Sequence, residues 1–544
     1  MSASKKMSKV SVSAPRGGYS GIRGLLASYV GLPPAGDDAY CRSVSNRTLL
    51  PLVLVHLNII SYAFAYWITQ PVLPYLSKSL GADAITFGYL QTVTSVMQIL
   101  GGAAIGRYVD VYSPRFGMVV TTLGSAASYF FLGLSFHTAV LFLSRLPTCL
   151  QQCMQVAQSY VPKLLLFEQE QLVLKAKSTQ SREIMDFSES LKESSAVLLG
   201  RLALSYGVGM VLGSLFGGFL AEQFGFHAVA LLAFALSMAV AVMNVFCLGD
   251  VESTASAGAT SGAGLGAKAA DIKGTRGGTK RDGSSARSSS KPLRRSSSTS
   301  RAGRGRSVTP KRQTSSSGAS TSGSVKKAST SKVKTSTGGT DVFGLRNYFH
   351  LLRDHDNLRA VLVYTTLLSV GFQVQQSSFS VAAIDKFDFP ACEMGMVMSA
   401  YAAISIVVNT FLIKPPIRWL GEAKAVEYAT FCIVFLLAVY ANATTKVQVL
   451  LVLFPVSVLS AFIYTVITSL VSHHARTEEQ GSAIALRHAV RSAVGIVAPP
   501  VAGYILQEIG FPATGFVASA FVALAVLAAR KTLKDTGEIS AKTK

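Results

Sequence analysis

The chain has 544 residues, of which 49% are hydrophobic, and its mean hydropathy is +0.39. This composition excludes an ordinary soluble globular protein and favours membrane helices, since about 20 apolar residues cross a bilayer core of about 30 Å. The net charge of +23 would by itself suggest nucleic-acid binding. However, residues 253–340 hold 18 Lys and Arg against two acidic residues, so +16 of that charge belongs to one segment.

Twelve apolar runs are predicted to cross the membrane, and we number them span 1 to span 12. A helix is the expected form of each, because it satisfies its own backbone hydrogen bonds in lipid. The predicted fold is therefore an all-α membrane protein with six helices on each side of a long polar segment. The spans are predicted at 49–69, 86–106, 116–136, 139–160, 196–220, 226–248, 359–380, 393–413, 424–441, 447–470, 484–507 and 511–529.

The orientation follows from Lys and Arg in the connections. Connections after odd-numbered spans contain only Lys78, Lys386 and Lys446, whereas connections after even-numbered spans are strongly basic. Both termini are therefore predicted to be cytosolic, and which membrane holds the protein stays open. The predicted regions are a tail at 1–48, a bundle at 49–248 with a cytosolic insert at 163–195, a linker at 249–346, a second bundle at 347–529 and a tail at 530–544. A transit peptide is the alternative for the first tail.

The linker has no aromatic residue between 253 and 340 and is dominated by Ser, Thr, Gly, Lys and Arg. Such a segment cannot bury enough apolar surface to fold. Ser297 follows basic residues and Thr309 precedes a proline, so both are candidate phosphorylation sites. The positive charge favours anionic lipid headgroups, with an inert tether as the alternative. Nucleic-acid binding is not expected, because stacking side chains are missing.

A stripe of glycines marks span 5. Gly209, Gly213 and Gly217 recur every fourth residue, so they share one helix face and let another backbone approach closely. A shift of 286 places brings Gly209 onto Gly495 and Gly217 onto Gly503, and after a one-residue slip both copies continue into Gly-Phe, at Gly225 and Gly510, which indicates an internal duplication. The same shift pairs two basic residues of spans 5 and 11, Arg201 and Arg487.

The connection after span 2 reads Gly-Arg-Tyr-Val-Asp-Val-Tyr-Ser-Pro-Arg from Gly106 to Arg115. Gly106, Asp110 and Arg115 resemble the cytosolic signature of the major facilitator superfamily. The stripe continued by Gly218 resembles the antiporter signature of that superfamily, with serine where proline is usual. Residues 200–202, 207–209 and 212–214 resemble drug-type solute carriers of the organic cation transporter-like protein 2 group.

The resemblance implies two six-helix halves that rock about a central cavity lined by spans 1, 4, 7 and 10. It also implies that Gly106, Asp110 and Arg115 form a cytosolic gate. The four spans each carry polar residues at helical spacing, as a cavity lining would. Hydrogen bonding to a neighbouring helix is the alternative for any one of them. The candidates are Asn58, Tyr62, Tyr66, Arg145, Thr148, Gln152, Gln155, Ser369, Gln373, Gln376, Ser460 and Tyr464.

Charged groups are few inside the spans. Arg145 lies well within span 4 and is the main candidate for substrate binding or coupling, since such residues are costly in lipid. His56 in span 1 is the second coupling candidate. Arg487 and Arg491 are expected to reach the cytosolic surface as gate or surface charges.

The predicted function is secondary active transport of a small organic solute by alternating access, as an exchanger, and not catalysis. The alternatives are a uniporter for a neutral metabolite and a non-transporting scaffold that presents the linker to an acidic partner. Arg145 suits a neutral or anionic substrate, whereas the group resemblance implies a cation. No metal site or cofactor is expected, a proton is the candidate coupling ion, and the functional unit is expected to be a monomer.

Overall fold

The computed structural model describes residues 22–34, 38–249, 356–474 and 480–542. All of its regular elements are helical, which confirms the predicted all-α class. Each predicted span coincides with a helix or, for spans 4 and 8, with consecutive helical segments. In span order the helices are Ala39–Thr69, Ala84–Val111, Pro114–Gly133, Thr138–Leu143 with Cys153–Thr179, Arg182–Phe224, Phe226–Cys247, Asp356–Asp385, Ala391–Val407, Glu422–Ala441, Lys446–His474, Gln480–Glu508 and Phe511–Lys542.

Short elements connect several spans. They are the helices Ile22–Val30 before span 1, Leu73–Ser79 after it and Lys414–Leu420 before span 9, a 3-10 helix at Leu146–Leu150 and a π-helical segment at Val408–Leu412 that ends span 8. The Asp38 carboxylate caps the helix of span 1 by accepting from the amides of Tyr40 and Cys41. Spans 5 and 6 meet at Gly225, where φ is +82° and glycine is therefore favoured.

Within the described part of the chain, nine helices are long and apolar enough to cross a membrane. The helices that fall short of this limit belong to spans 2, 4 and 7. Spans 4 and 7 are two of the four that carry the predicted polar lining, and span 2 carries Gln91, Ser95 and Gln98. For spans 2 and 7 the low hydropathy follows from the polar residues that they contain, whereas in span 4 the helix is also interrupted and its first segment, Thr138–Leu143, has only 6 residues.

The glycine stripe of span 5 lies against span 1. A Cβ atom added at Gly213 would lie 2.6 Å from the carbonyl oxygen of Phe64, and one at Gly209 or Gly217 would lie closer still to a carbonyl. The partners of the three glycines are Ile60, Phe64 and Ile68 of span 1, in that order. This close backbone approach holds spans 1 and 5 together within the N-terminal half.

Small residues also join the two halves where span 5 meets span 8. Gly218 lies against the backbone of Ala391, and a Cβ at Gly395 would lie 2.5 Å from the carbonyl oxygen of Ser214. Spans 2 and 11 form the matching contact. There Gly503 lies against the backbone of Ala84, as residue 218 does against residue 391.

These two contacts correct the register of the duplication. At the second contact, a Cβ at Gly88 would lie 2.6 Å from the carbonyl oxygen of Pro499. Pro499 thus takes the position of Ser214, and Gly503 that of Gly218, which is a shift of 285 places rather than 286. The predicted pairing of Gly217 with Gly503 is therefore wrong by one residue, because the slip between the repeats lies before residue 214.

At the predicted external end, polar groups of the two halves meet. Lys78 and Asp385 form an ion pair of 2.5 Å, with about half of each side chain exposed. The Tyr75 hydroxyl donates to the carbonyl oxygen of Phe389 over 2.7 Å. The Glu222 carboxylate accepts from the amide of Cys392 over 2.9 Å. The halves are therefore in contact at this end.

At the predicted cytosolic end, extensions of spans 1, 4 and 5 pack together. Val44, Leu172 and Leu191 come from the three extensions and belong to one buried cluster. The insert at 163–195 thus continues the helix of span 4 to Thr179 and returns as the start of span 5. Glu168 is buried in this region, and Arg47 lies 3.9 Å from its carboxylate.

Candidate functional site

Span 4 is interrupted beside Arg145. A continuous helix was predicted over 139–160, but the first helix ends at Leu143, a 3-10 turn follows, and the next helix begins at Cys153. Pro147 lies in this turn, and proline cannot donate a backbone hydrogen bond and disfavours a helical residue before it. The predicted polar stripe from residue 145 to residue 155 is therefore not one helix face.

The Arg145 guanidinium is buried without a full set of acceptors. The side chain is 6% exposed, its Nε donates to Ser144 Oγ over 3.1 Å, and one terminal nitrogen has no hydrogen-bond partner. Tyr66 and Tyr129 lie within electrostatic reach of it. The ion pairs of the described residues do not include Arg145. A guanidinium has five N–H donors, so this arginine needs a further acceptor.

Aromatic side chains of spans 1 and 5 form a wall near Arg145. Tyr66 contacts the side chain of Gln98 in span 2 and the ring of Trp67, whose centroid lies 5.5 Å from its own. Trp67 Nε1 donates to the Tyr206 hydroxyl over 3.1 Å. The Tyr62 hydroxyl donates to the carbonyl oxygen of Gln151 over 2.9 Å. This wall combines ring faces with hydroxyl groups, and sequence reasoning missed Tyr206.

Several predicted lining residues are engaged in helix packing. Asn58 is 0% exposed and donates to the side chain of Asn244 in span 6, so it lies in the core of the N-terminal half and not in an open cavity. Gln152 and Gln155 donate to carbonyl oxygens of span 2 over 3.1 and 3.2 Å. Thr148 is buried and donates to the Arg145 carbonyl. For these residues the structure favours the packing alternative.

In the C-terminal half, the predicted residues differ in exposure. Gln376 of span 7 is exposed, and Ser369 and Gln373 are half-buried. In span 10, Ser460 is half-buried and donates to the carbonyl oxygen of Ser457, whereas Tyr464 is 41% exposed. Tyr464 is thus the most accessible aromatic candidate of this half.

Two arginines of span 11 lie over the Tyr464 ring. The guanidinium carbons of Arg487 and Arg491 are 4.3 and 5.3 Å from its centroid. Arg487 is only 4% exposed and donates to Thr468 Oγ1 and to the Tyr464 carbonyl. Of the two predicted roles, gate or surface charge, an exposed surface position is wrong for Arg487, because its side chain is held against span 10.

Arg491 of span 11 lies within electrostatic reach of two tyrosines of the N-terminal half, Tyr66 of span 1 and Tyr206 of span 5. Arg145 acts on the same Tyr66 hydroxyl from span 4. Arginines from both halves therefore lie within electrostatic reach of one shared tyrosine, Tyr66. The position of Arg491 in span 11 was visible in the sequence, but nothing there indicated that it faces the first half.

His56 lies apart from this cluster. It is buried, and its Nδ1 is 2.8 Å from Ser205 Oγ, which is also bonded to the Tyr29 hydroxyl. Arg201 donates to the Tyr29 carbonyl over 2.7 Å. His56 thus joins the helix Ile22–Val30, part of the tail predicted at 1–48, to spans 1 and 5. In the described contacts it does not meet Arg145.

The predicted cytosolic gate is described in part. A Cβ at Gly106 would lie 2.9 Å from the Gln155 side chain, so this glycine lets spans 2 and 4 approach. Arg115 donates to the Val245 carbonyl near the end of span 6 over 2.6 Å. The side chain of Asp110, and the candidate phosphorylation sites Ser297 and Thr309, lie outside the described residues. The described residues contain no cluster of metal-binding side chains.

The chain matches the sequence profile of the Major Facilitator Superfamily over residues 55–157, 188–499 and 428–543. It is 32% identical to mouse solute carrier family 22 member 18 over 207 residues, which are 37% of this chain and 45% of the mouse protein. It is 34% identical to human solute carrier family 67 member A1 over 182 residues, 32% of this chain and 37% of the human protein. Each match thus spans less than half of the relative.

Solved transporters share the fold. The human organic anion transporter MFSD10 (TETRAN) aligns with a TM-score of 0.51 at 14% identity, covering 88% of this chain and 98% of that one. The nucleoside transporter NupG aligns with a TM-score of 0.54 at 12% identity, covering 89% of this chain and 98% of that one. At these identities the likeness concerns the fold alone. The profile match and the helical architecture together show that the chain belongs to the Major Facilitator Superfamily.

Proposed function

We propose that this protein is a secondary active transporter that exchanges small organic anions by alternating access. The observation that carries the proposal is the cluster of Arg145 and Arg491 around Tyr66, with no ion pair for either arginine among the described residues. A buried guanidinium with an unused N–H group provides the natural contact for a carboxylate or sulfonate. The tyrosine wall contributes ring faces for the organic part of the solute.

The balance of energies favours an anion over a cation. A cation on the tyrosine faces would gain about 0.5–2 kcal/mol. At an effective dielectric constant of about 20, a unit charge about 6 Å from one arginine changes in energy by about 3 kcal/mol. Two arginines near Tyr66 therefore outweigh the attraction of the rings for a cation. The residues of this chain therefore favour an anion, whereas the resemblance to the organic cation transporter-like protein 2 group implies a cation.

Alternating access is supported by the packing between the halves. The contacts of span 5 with span 8, and of span 2 with span 11, consist of glycine and other small residues and are quasi-equivalent. Flat surfaces of this kind let the halves rock without separating, while the ion pair of Lys78 with Asp385 holds the predicted external end. A scaffold has no use for this arrangement or for buried arginines, which cost free energy in a membrane.

The remaining features of the proposal concern surroundings and coupling. The basic linker at 253–340 lies on anionic headgroups, and the functional unit is a monomer with both termini cytosolic. Replacing the linker by a neutral Gly/Ser tether should leave transport intact and weaken binding to vesicles that contain anionic lipid. Transport lost in a correctly inserted protein would contradict this role. A proton remains the second candidate for coupling, with His56 as the residue that would carry it.

The substrate class is tested by uptake competition in proteoliposomes with three probes of one shape. Benzenesulfonate, benzenesulfonamide and phenyltrimethylammonium present the same ring with a negative, neutral or positive group. We expect benzenesulfonate to compete best. Arg145→Gln should weaken its competition by about 10-fold or more, a loss of about 1.4 kcal/mol, and should affect the sulfonamide less.

The control for this experiment is Arg145→Lys, which keeps the charge but loses the planar fork. It should bind the sulfonate more weakly than the wild type but better than the glutamine variant. Strongest competition by phenyltrimethylammonium in the wild type, unchanged by Arg145→Gln, would show that the arginine is structural and would overturn the proposal.

A further inference from the structure

The helix of span 1 begins at Ala39, before the predicted membrane boundary at residue 49, and this extension has two different faces. Cys41 and Val44 belong to the buried cluster that the extension forms with spans 4 and 5. The exposed face borders a pocket of about 590 Å³, lined by Ala39, Arg42, Ser43, Asn46 and Arg47. The polar groups of this described lining are guanidinium, hydroxyl and amide, all of which can donate hydrogen bonds. The exposed face is therefore suited to an anion.

The same face continues into the membrane. Asn46, Leu50 and Leu57 are four and seven residues apart, so they lie above one another along one side of the helix. Leu50 is 62% exposed and Leu57 is 47% exposed, and both belong to a helix long and apolar enough to cross a membrane. Exposed leucines at this level contact acyl chains. At about 1.5 Å per residue, residues 43–47 lie about 3 to 9 Å beyond the hydrocarbon core, at the level of the lipid headgroups.

Arg47 is the basic residue of this face whose hydrogen bonding is incomplete. Its side chain is 35% exposed, and its Nε has no hydrogen-bond partner among the described residues. The carboxylate of Glu168 lies 3.9 Å away on the buried side, which is longer than a hydrogen bond. The exposed part of the guanidinium can therefore donate to a phosphate, and Arg42 adds a second positive charge on the same face.

We propose that this face of span 1 binds one anionic phospholipid of the cytosolic leaflet. Its headgroup phosphate accepts from Arg47, Asn46 and Ser43, and one acyl chain lies along Leu50 and Leu57. Tyr66 comes nine residues after Leu57, which is the opposite side of an α-helix, so the lipid lies away from the candidate substrate site. The site is also separate from the basic linker at 253–340.

The charge of the headgroup decides which lipid is preferred. A zwitterionic phosphatidylcholine carries the same phosphate, but its quaternary ammonium brings a positive charge towards the two arginines. An anionic headgroup gains about 5-fold in binding for each basic residue near it. With Arg42 and Arg47 on the face and Glu168 behind it, we expect a preference of about 10-fold for the anionic lipid.

The test measures this preference at one position on the membrane face. Leu57→Trp introduces a fluorescent reporter beside the proposed acyl chain, and brominated chains quench tryptophan on contact. The full-length protein is reconstituted with brominated phosphatidylglycerol in competition with phosphatidylcholine, and the fluorescence of Trp67 and Trp419 is subtracted with protein that lacks the reporter. Phosphatidylglycerol should be preferred about 10-fold. Phe435→Trp, on the exposed side of span 9, is the control reporter and should bind both lipids about equally.

Three variants, each combined with the reporter at residue 57, assign the preference to the proposed residues. Asn46→Glu adds a carboxylate at an exposed position and leaves Arg47 and Glu168 in place, so it should abolish the preference without unfolding the protein. Arg47→Gln should lower the preference about 5-fold. Arg418→Gln removes an exposed arginine from the helix Lys414–Leu420 and should change nothing. If Arg47→Gln does not fold, Asn46→Glu decides alone.

The outcomes also identify the source of the phosphate. Glycerophosphoglycerol is the same headgroup without chains, and it should not displace the brominated lipid, because the leucines contribute to binding. Displacement would show that a free phosphate ester occupies the site and would overturn the proposal. Equal preferences at the two reporters, or a preference that survives Asn46→Glu, would overturn it as well. The measurement uses no transported solute, so its result does not depend on the anion exchange proposed above.

Discussion

The contact between spans 1 and 5 should fail when Gly213 gains a side chain. A Cβ at Gly213 would lie 2.6 Å from the Phe64 carbonyl oxygen, whereas ordinary contacts begin near 3.4 Å, so the helices must separate by about 0.8 Å. Each dispersion contact between two atoms is worth about 0.1–0.2 kcal/mol, and a gap of this size removes a quarter to a half of that energy. For about 40 atom pairs along the contact, the loss is about 2 kcal/mol.

Gly200 provides the matched control on the same helix. An added Cβ there meets nothing within 4 Å, and the residue is exposed. Gly200→Ala should therefore gain up to about 1 kcal/mol of helix propensity. Gly213→Ala receives the same gain but loses the contact, so the difference between the two variants isolates the contact energy.

The assay is thermal unfolding in detergent, followed by the labelling of buried cysteines such as Cys153. A difference of about 2 kcal/mol corresponds to about 5 °C for a bundle of this size. We expect Gly213→Ala to melt about 5 °C below Gly200→Ala, and Gly213→Leu to melt lower still. Equal melting temperatures for the two alanine variants would refute the close contact as a source of stability.

Two charge substitutions test other parts of the structure. Asp385→Asn should loosen the predicted external end and speed the labelling of a cysteine placed at Gln373. The acceleration should be less than about 5-fold, because the ion pair of Asp385 with Lys78 is exposed. Exchanging the two charges should restore the slow rate, and unchanged labelling in Asp385→Asn would refute the contact. Glu168 is 2% exposed and lies outside the predicted spans, and burial raises the pKa of its carboxyl despite the nearby arginine. The folded protein therefore holds this proton more tightly than the unfolded chain does, and stability falls as pH rises above the ordinary range of the group. Glu168→Gln should be more stable than the wild type at pH 8, by about 1 kcal/mol, with a smaller difference at pH 5. Melting curves at both pH values measure this, with Glu170→Gln, at an exposed position, as the control. A difference in stability between Glu168→Gln and the wild type that does not change with pH would contradict the prediction.

The helices and the glycine stripe could be predicted from the sequence, because the length of an apolar run and a spacing of four residues are properties of a single segment. The glycines of span 5 need only a helix to share a face, and the structure supplies the partner in span 1. The register of the second copy was wrong by one residue, since a slip between repeats changes the contacting face without changing the composition. The contacts of Ser214 and Pro499, and those of Gly218 and Gly503, place the slip before residue 214.

The candidate site was less accessible, because it depends on where spans bend and which helix each side chain meets. Pro147 was a visible signal that span 4 breaks, yet Pro51 and Pro455 lie inside continuous helices, so proline alone does not decide. Gln152 fits a polar stripe but donates to a carbonyl of span 2. Arg487 fits a cytosolic position but is held against span 10.

Glycine thus takes part in two kinds of helix contact in this protein, one within a half and one between the halves. Within the N-terminal half, the glycines at 209, 213 and 217 bring span 5 so close to span 1 that Tyr66 and Tyr206 belong to one rigid wall. Between the halves, Gly218 and Gly395 leave a flat surface without interlocking side chains. In the proposed alternating access, the halves would rock over this surface, and the tyrosine wall would move with the N-terminal half. The backbone approach is equally close at the two places, 2.6 Å at Gly213 and 2.5 Å at Gly395, so the two contacts differ in the helices that they join and not in their tightness.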